Sequence, residues 1–197
     1  DAEVPEALAA SAAPRGILQG ASGAFEGREA LGALLVRRGV RRSEEAPDFF
    51  TRDLLEGYAA AAYREAVSLQ MDKKSGEAEL ALQKGWAASW LFPDIPLFLG
   101  YIQANGGRMA EAEASYGLAD DLFAQKLALA VRYRALPDVL SAVRRQAAEA
   151  ATHHGVALER LGDPAGAEAH YRRALALQPL AQTRFNLAVL AWGKDWA

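Results

Sequence analysis

Four columns of residues recur along this chain in a single register, and that register constrains the fold more than any other feature of the sequence. Ala66, Gly100 and Gly155 are small residues at equivalent places in successive segments, and Ala78, Ala112 and Ala167 form a second small column. Leu82, Tyr116 and Tyr171, four positions further on, form a column of larger side chains, followed by the small column Gly85, Ala119 and Ala174. In all four columns the first interval is 34 residues and the second is 55. Small residues let two antiparallel helices approach closely, and a larger residue four positions on fills the gap against the next hairpin. The register therefore specifies stacked helical hairpins.

Alanine- and leucine-rich segments with helical spacing, joined by short Gly, Asp or Lys-Ser turns, predict helices over about 49–71, 75–91, 95–105, 109–134, 137–161, 164–177 and 181–192. Alanine drives much of the 51% hydrophobic content and suits packed helices, because it loses no side-chain entropy in them. Upstream, Pro5, Pro14, Gly16, Gly20 and Gly23 break any long helix, so residues 1–24 read as a linker with one or two short helical turns. Leu31, Leu34 and Leu35 give 25–38 a helical pattern that stops at Gly39, so 25–58 reads as a docking or capping helix with a lead-in.

The motifs Gly155-x2-Leu158, Gly162, Ala167-x3-Tyr171, Ala174 and Pro179 resemble the tetratricopeptide repeat (TPR) family, and Leu99-Gly100, Gly107, Ala112-x3-Tyr116, Ala119 do so nearly as well. The family's tryptophan-like position is Ala62, Pro96 and Ala151 here, which departs from its pattern. The resemblance divides 59–197 into repeats at 59–92 and 93–126, an insertion at 127–147, a repeat at 148–181 and a partial repeat at 181–197. It implies an all-α fold of antiparallel hairpins stacked as a right-handed solenoid, with an N-terminal helical extension and an elongated hairpin around 109–161.

The 21 inserted residues are close to six helical turns. Lengthening both flanking helices by about three turns, with Pro137 opening the second, is the simplest arrangement; one additional free-standing helix is the alternative. An unbroken helix from about 109 to 134 favours the first, and a break near Asp120 to Ala124 the second. At the C-terminus, Phe185-Asn186-Leu187-Ala188 looks like the first helix of another repeat and Gly193-Lys194-Asp195 like its turn. An array needs a cap over such a face. Leu187, Leu190 and Trp192 are therefore expected to form an association surface, covered by a continuation of the polypeptide or by another chain. The start at Asp1 suggests a processed protein or a piece of a longer one.

A formal net charge of −3, from 22 basic and 25 acidic residues, supplies no electrostatic attraction to nucleic acid or to an anionic membrane. No apolar run reaches the roughly 18 residues that a spanning helix needs. The absence of cysteine excludes thiolate metal sites and cysteine nucleophiles. His153 and His154 are adjacent, so their side chains diverge by about 100° on a helix, and His170 lies on the next helix. With no HExxH pattern and no carboxylate at ligand spacing beside them, they read as packing or surface residues. No metal, cofactor or catalytic site is expected.

Three other features read as structural. Arg37, Arg38, Arg41 and Arg42 form a basic cluster at a helix end, where the dipole favours cations. Gly20-Ala21-Ser22-Gly23 and Gly27 match no phosphate loop and read as loop. Trp86 and Trp90, four apart, are expected to pack together on one helix face near Phe92.

In the family, the first helix of each hairpin builds a concave face that holds the ligand. The resemblance places Tyr63, Val67, Gln70, Leu97, Tyr101, Asn105, Thr152, Val156, Glu159 and Arg160 on that face. This mixed apolar and polar set suits an extended peptide or partner helix. A subgroup clamps acidic C-terminal tails of chaperones with Lys, Asn and Arg, but here the corresponding positions hold Tyr63, Val67, Phe98, Glu149 and His153, which argues against that role. The expected function is thus a non-catalytic protein- or peptide-binding scaffold with possible self-association. The alternative is the C-terminal repeat module of a larger enzyme whose catalytic domain lies upstream of residue 1.

Overall fold

The computed structural model describes residues 12–15, 18–21 and 49–195. The docking helix expected within 25–38 and the basic cluster Arg37, Arg38, Arg41 and Arg42 lie outside the described residues. Residues up to Ile95 and residues from Pro96 pack as two compact units.

In the first unit, β1 (Ala12–Arg15) and β2 (Leu18–Ala21) pair antiparallel, with Ala13 opposite Gly20 and Arg15 opposite Leu18. Over residues 12–15 and 18–21 this corrects the expected helical turns and, with them, the loop reading of Gly20 and Ala21. The same Pro and Gly residues that break a helix also leave a short hairpin possible. Helix α1 (Phe49–Met71) and helix α2 (Ser75–Ala88) form the first helical hairpin. Their contact rests on Gly85, where an added Cβ would lie 2.8 Å from Ala62 Cβ and 2.9 Å from Ile95 Cδ1. Helix α2 stops at Ala88 because Ser89 turns extended, with φ −145° and ψ 122°. Trp90 therefore lies past the helix end and does not share a helix face with Trp86, contrary to expectation.

Helix α3 (Asp94–Asn105) leads from the first unit into the second, which continues with α4 (Met109–Arg132), α5 (Pro137–Arg160), α6 (Pro164–Leu177) and α7 (Ala181–Asp195). Helix α4 runs unbroken through Asp120 to Ala124, so the insertion lengthens both flanking helices and adds no free-standing one. Phe123, Ala147 and Ala150 are buried together at the root of the long hairpin, with Leu127 packed beside them. Its far end exposes Leu129, Val131, Tyr133, Leu136 and Val139. Pro137 sits in the first turn of α5, where its missing N–H costs no bond. Asp163 caps α6 by accepting from Gly166 N at 2.9 Å.

Every residue of the four repeat columns is buried. The turns obey the same register. Lys73 (φ 62°), Gly107 (φ 78°) and Gly162 (φ 87°), at intervals of 34 and 55, hold the left-handed conformation that ends the first helix of each repeat, and Arg134 (φ 51°), outside the register, ends α4 in the same way. At each turn the next residue's N–H reaches back five residues, as in Arg108 N to Gln103 O at 2.9 Å and Asp163 N to Leu158 O at 2.9 Å. This double closure is the Schellman arrangement, which satisfies carbonyls that the helix end would leave open. Helix α7 continues through Gly193, Lys194 and Asp195, where the sequence predicts a turn.

Candidate functional site

The second unit contains an open cavity of about 380 Å³ between α5 and the start of α7. Glu149, Thr152, His153, Val156 and Arg160 line it from one face of α5; Leu180, Gln182 and Asn186 line it opposite. Spacings of three and four put the α5 residues on one helix stripe. Thr152 and Thr183 fix the two walls: their Oγ1 atoms lie 2.6 Å apart in a buried hydrogen bond, and Thr152 Oγ1 also donates to Ala148 O at 2.7 Å. Since Thr152 has a single hydroxyl proton, Thr183 is the donor across the helix pair.

Thr152, Val156 and Arg160 of the expected concave set thus converge on one cavity. Tyr101 stacks on Phe98 with ring centroids 5.8 Å apart, and it is exposed. Tyr101 and Arg160 both act electrostatically on Tyr116, whose hydroxyl is pushed up to about 12 by burial first, with Arg160 opposing and Tyr101 adding. Tyr116 in turn stacks on His153 at 5.4 Å. Asn105 is exposed at the end of α3.

Other members of that set are engaged elsewhere. Leu97 packs against the cores built on Tyr116 and on Phe123, so its side chain serves helix packing. Glu159 Oε2 accepts from the Tyr171 hydroxyl at 2.8 Å. In the first unit, Gln70 accepts from Ser75 Oγ at 3.0 Å across the α1–α2 turn, Tyr63 packs against Phe92 with centroids 6.1 Å apart, and Val67 is half-buried.

The residues expected to form an association surface, Leu187, Leu190 and Trp192, do not share one face of α7. Leu190 is only 8% exposed and joins Ala167 and Tyr171 in a buried cluster, with Leu187 packed against it. They bind α7 to α6, so neither lies on the open face. Trp192 is 69% exposed and lines a shallow apolar groove of about 240 Å³ with Phe185, Ala188 and Val189. Spacings of three and four set these residues on the opposite stripe of α7.

A second constellation escapes sequence reasoning. Asp120 of α4, His154 of α5 and His170 of α6 meet in the interior, with the Asp120 side chain 4% exposed. Asp120 Oδ2 lies 3.3 Å from His154 Nδ1 and 3.1 Å from His170 Nδ1, and it also accepts from Arg173 Nη2. His154 Nε2 reaches Glu113 Oε1 at 3.1 Å, and Arg173 Nη2 lies 3.3 Å from His170 Nδ1. Burial alone would raise the Asp120 carboxyl pKa, but hydrogen bonds from the two histidines and the Arg173 charge outweigh it and hold the group well below the carboxylate range. Burial likewise opposes a charged His154, yet the hydrogen bonds to Asp120 and Glu113 prevail and raise its pKa. The expectation that no carboxylate stands beside the histidines fails in space, where Asp120 and Glu113 meet His154. Each member flanks a repeat column: Asp120 follows Ala119, His154 precedes Gly155 and His170 precedes Tyr171. That adjacency is the one sequence signal that could have found the cluster.

Among the described residues, no helix is long and apolar enough to cross a membrane. No protein-family model matches the sequence, and no curated protein matches it. Solved structures do resemble the fold. The N-terminal domain of stress-induced protein-1 (STI-1) from C. elegans has a TM-score of 0.56 at 14% identity, covering 70% of this chain and 97% of that one. The first TPR of Spaghetti (RPAP3), bound in that structure to the HSP90 peptide SRMEEVD, has a TM-score of 0.53 at 19% identity, covering 70% of this chain and 93% of that one. The buried columns, the repeated Schellman turns and these likenesses give one conclusion: the chain has the tetratricopeptide-repeat fold.

Proposed function

We propose that this chain is a non-catalytic, TPR-type scaffold that binds a protein or peptide, and that the α5–α7 cavity receives a side chain of an extended segment. The observation that carries this is the cavity itself. Its volume of about 380 Å³ lies in the range of small ligand pockets, and Val156 and Leu180 are flanked by Arg160, Gln182 and Asn186. An apolar floor with a few amide and charged groups at its rim suits an apolar anchor whose peptide backbone needs hydrogen-bonding partners. The RPAP3 domain, of the same fold, holds a peptide, which supports the class of ligand.

The test is selection of a displayed random peptide library on the purified chain, followed by fluorescence anisotropy with the selected peptides. Gln182→Trp, which fills the cavity, and Arg160→Glu are expected to weaken binding about tenfold or more. Both positions are exposed, so the fold is retained. Absence of any enriched sequence, or unchanged affinity in both variants, would overturn the proposal. Self-association, a further proposed interaction, uses the Phe185, Val189 and Trp192 face.

A further inference from the structure

We propose that Asp120, His154 and His170 form a binding site for one divalent transition-metal ion, set between α4, α5 and α6 and separate from the peptide cavity. Two imidazole nitrogens and one carboxylate oxygen are the borderline ligands that Zn²⁺, Co²⁺ and Ni²⁺ favour. The spacing fits as well. A tetrahedral Zn²⁺ with nitrogen and oxygen ligands at about 2.0–2.2 Å holds those atoms roughly 3.4 Å apart. The carboxylate oxygen stands 3.3 Å and 3.1 Å from the two Nδ1 atoms, and all three ligand atoms lie within 4.8 Å of one another.

The surroundings of the site supply a second, independent argument. His154 Nε2 is 3.1 Å from Glu113 Oε1, so an Nε2–H donated to Glu113 leaves the Nδ1 lone pair directed at the ion. A carboxylate behind a ligating histidine fixes its tautomer and orientation in this way. Gly117 leaves room for that ring, since a Cβ there would come 3.3 Å from His154 Cε1. The Asp120 side chain is 4% exposed, so its carboxylate would meet the ion in a nearly dry position.

Arg173 Nη2 stands beside two of the three ligand atoms, Asp120 Oδ2 and His170 Nδ1. Its guanidinium neutralises Asp120 when no metal is present, and its side chain is 43% exposed, so it can turn outward to solvent. The ion then replaces one cation with another beside the Asp120 carboxylate. The site clamps three helices, two from the long hairpin and one from the hairpin that follows it. Metal binding is therefore expected to stabilise the fold by mass action.

Titration of the chelator-treated full chain with Co²⁺, followed by its visible d–d absorption, tests the site. Calorimetry with Zn²⁺ and thermal melts accompany it. The expected result is saturation at one ion per chain, a rise in Tm, and loss of the saturable signal in His170→Ala and Asp120→Asn. Circular dichroism checks each variant, and His170→Ala decides the matter where Asp120→Asn does not fold, because His170 lies nearer the surface. Glu113→Gln is expected to weaken binding about tenfold or more. Arg173→Gln is expected to bind Co²⁺ more tightly than wild type, since no guanidinium competes. No saturable binding, affinity unchanged in a folded His170→Ala variant, or weaker binding in Arg173→Gln would overturn the proposal.

Discussion

The phenol ring of Tyr171 rests against the bare Cα of Gly155, where an added Cβ would lie 2.7 Å from Cε1, 2.9 Å from Cδ1 and 3.2 Å from the carbonyl oxygen of Ala167. Gly100 repeats the relationship with Tyr116, at 2.7 Å from both Cδ1 and Cε1. The Tyr171 ring cannot retreat, because it is fully buried and its hydroxyl donates to Glu159 at 2.8 Å. One missing methyl group therefore sets the helix spacing at Gly100 and at Gly155, whereas the first repeat has Ala66 at this place, with Leu82 in the column of larger side chains.

Gly155→Ala and Gly100→Ala are each expected to cost about 1–3 kcal/mol through overpacking, although alanine is the better helix former. Gly76, on α2, serves as the control, because a Cβ added there would meet nothing within 4 Å. At that position, in the first turn of α2, the same substitution should change stability by no more than about 0.5 kcal/mol. Urea unfolding separates the cases, and a Gly155→Ala chain as stable as Gly76→Ala would show that the ring contact does not limit the helix approach.

The turns allow the opposite experiment. Lys73 and Arg134 hold φ values of 62° and 51°, at places where the other two turns use Gly107 and Gly162. A side chain in the left-handed region costs roughly 1–2 kcal/mol that glycine avoids. Arg134→Gly and Lys73→Gly are each expected to raise stability by about 1 kcal/mol after glycine's greater freedom in the unfolded chain is deducted. Gly107→Ala should lower it by a similar amount. Thermal melts that move in the reverse direction would refute this account of the turns.

Much of the fold was legible in the sequence because one steric rule is repeated. Wherever two helices must approach closely, a small residue faces a larger one, so Ala78, Ala112 and Ala167 and their partners mark the hairpins and the insertion between them. The site was only partly legible. Helical spacing places Thr152, Val156 and Arg160 on one stripe, whereas Leu97 turns toward Tyr116 and Phe123, a choice that depends on neighbours far along the chain. Asp120, His154 and His170 stand on three helices, and no local period links them. Near the N-terminus, Pro14 and Gly20 reveal where a helix cannot form, but not that a strand pair forms there instead.

The Thr152–Thr183 bond joins α5 to α7 beneath the cavity, so it should appear as coupling rather than as two independent costs. Thr183→Val is expected to destabilise by about 1 kcal/mol, and Thr152→Val by somewhat more because it also loses the bond to Ala148 O. The double variant should cost less than the two singles together, by roughly 0.5 kcal/mol or more. Strict additivity in a double-mutant cycle would mean that the two hydroxyls act separately.

Helix α7 carries two apolar stripes with opposite duties, and aspartate substitution tells them apart. Leu190 packs with Tyr171 and Ala167, so Leu190→Asp places a carboxylate in a buried cluster with no partner for it. The expected loss is about 3 kcal/mol or more. Trp192 and Phe185 are 69% and 64% exposed, so Trp192→Asp and Phe185→Asp should change stability by less than about 1 kcal/mol. Light scattering over a concentration series then reads the proposed self-association. The wild-type mass should rise with concentration, and the rise should vanish in Trp192→Asp and Phe185→Asp while their melting curves stay in place. A monomeric wild type at every concentration would remove self-association from the proposed function. An equal loss of stability in Leu190→Asp and Trp192→Asp would show that both stripes are packed within the chain.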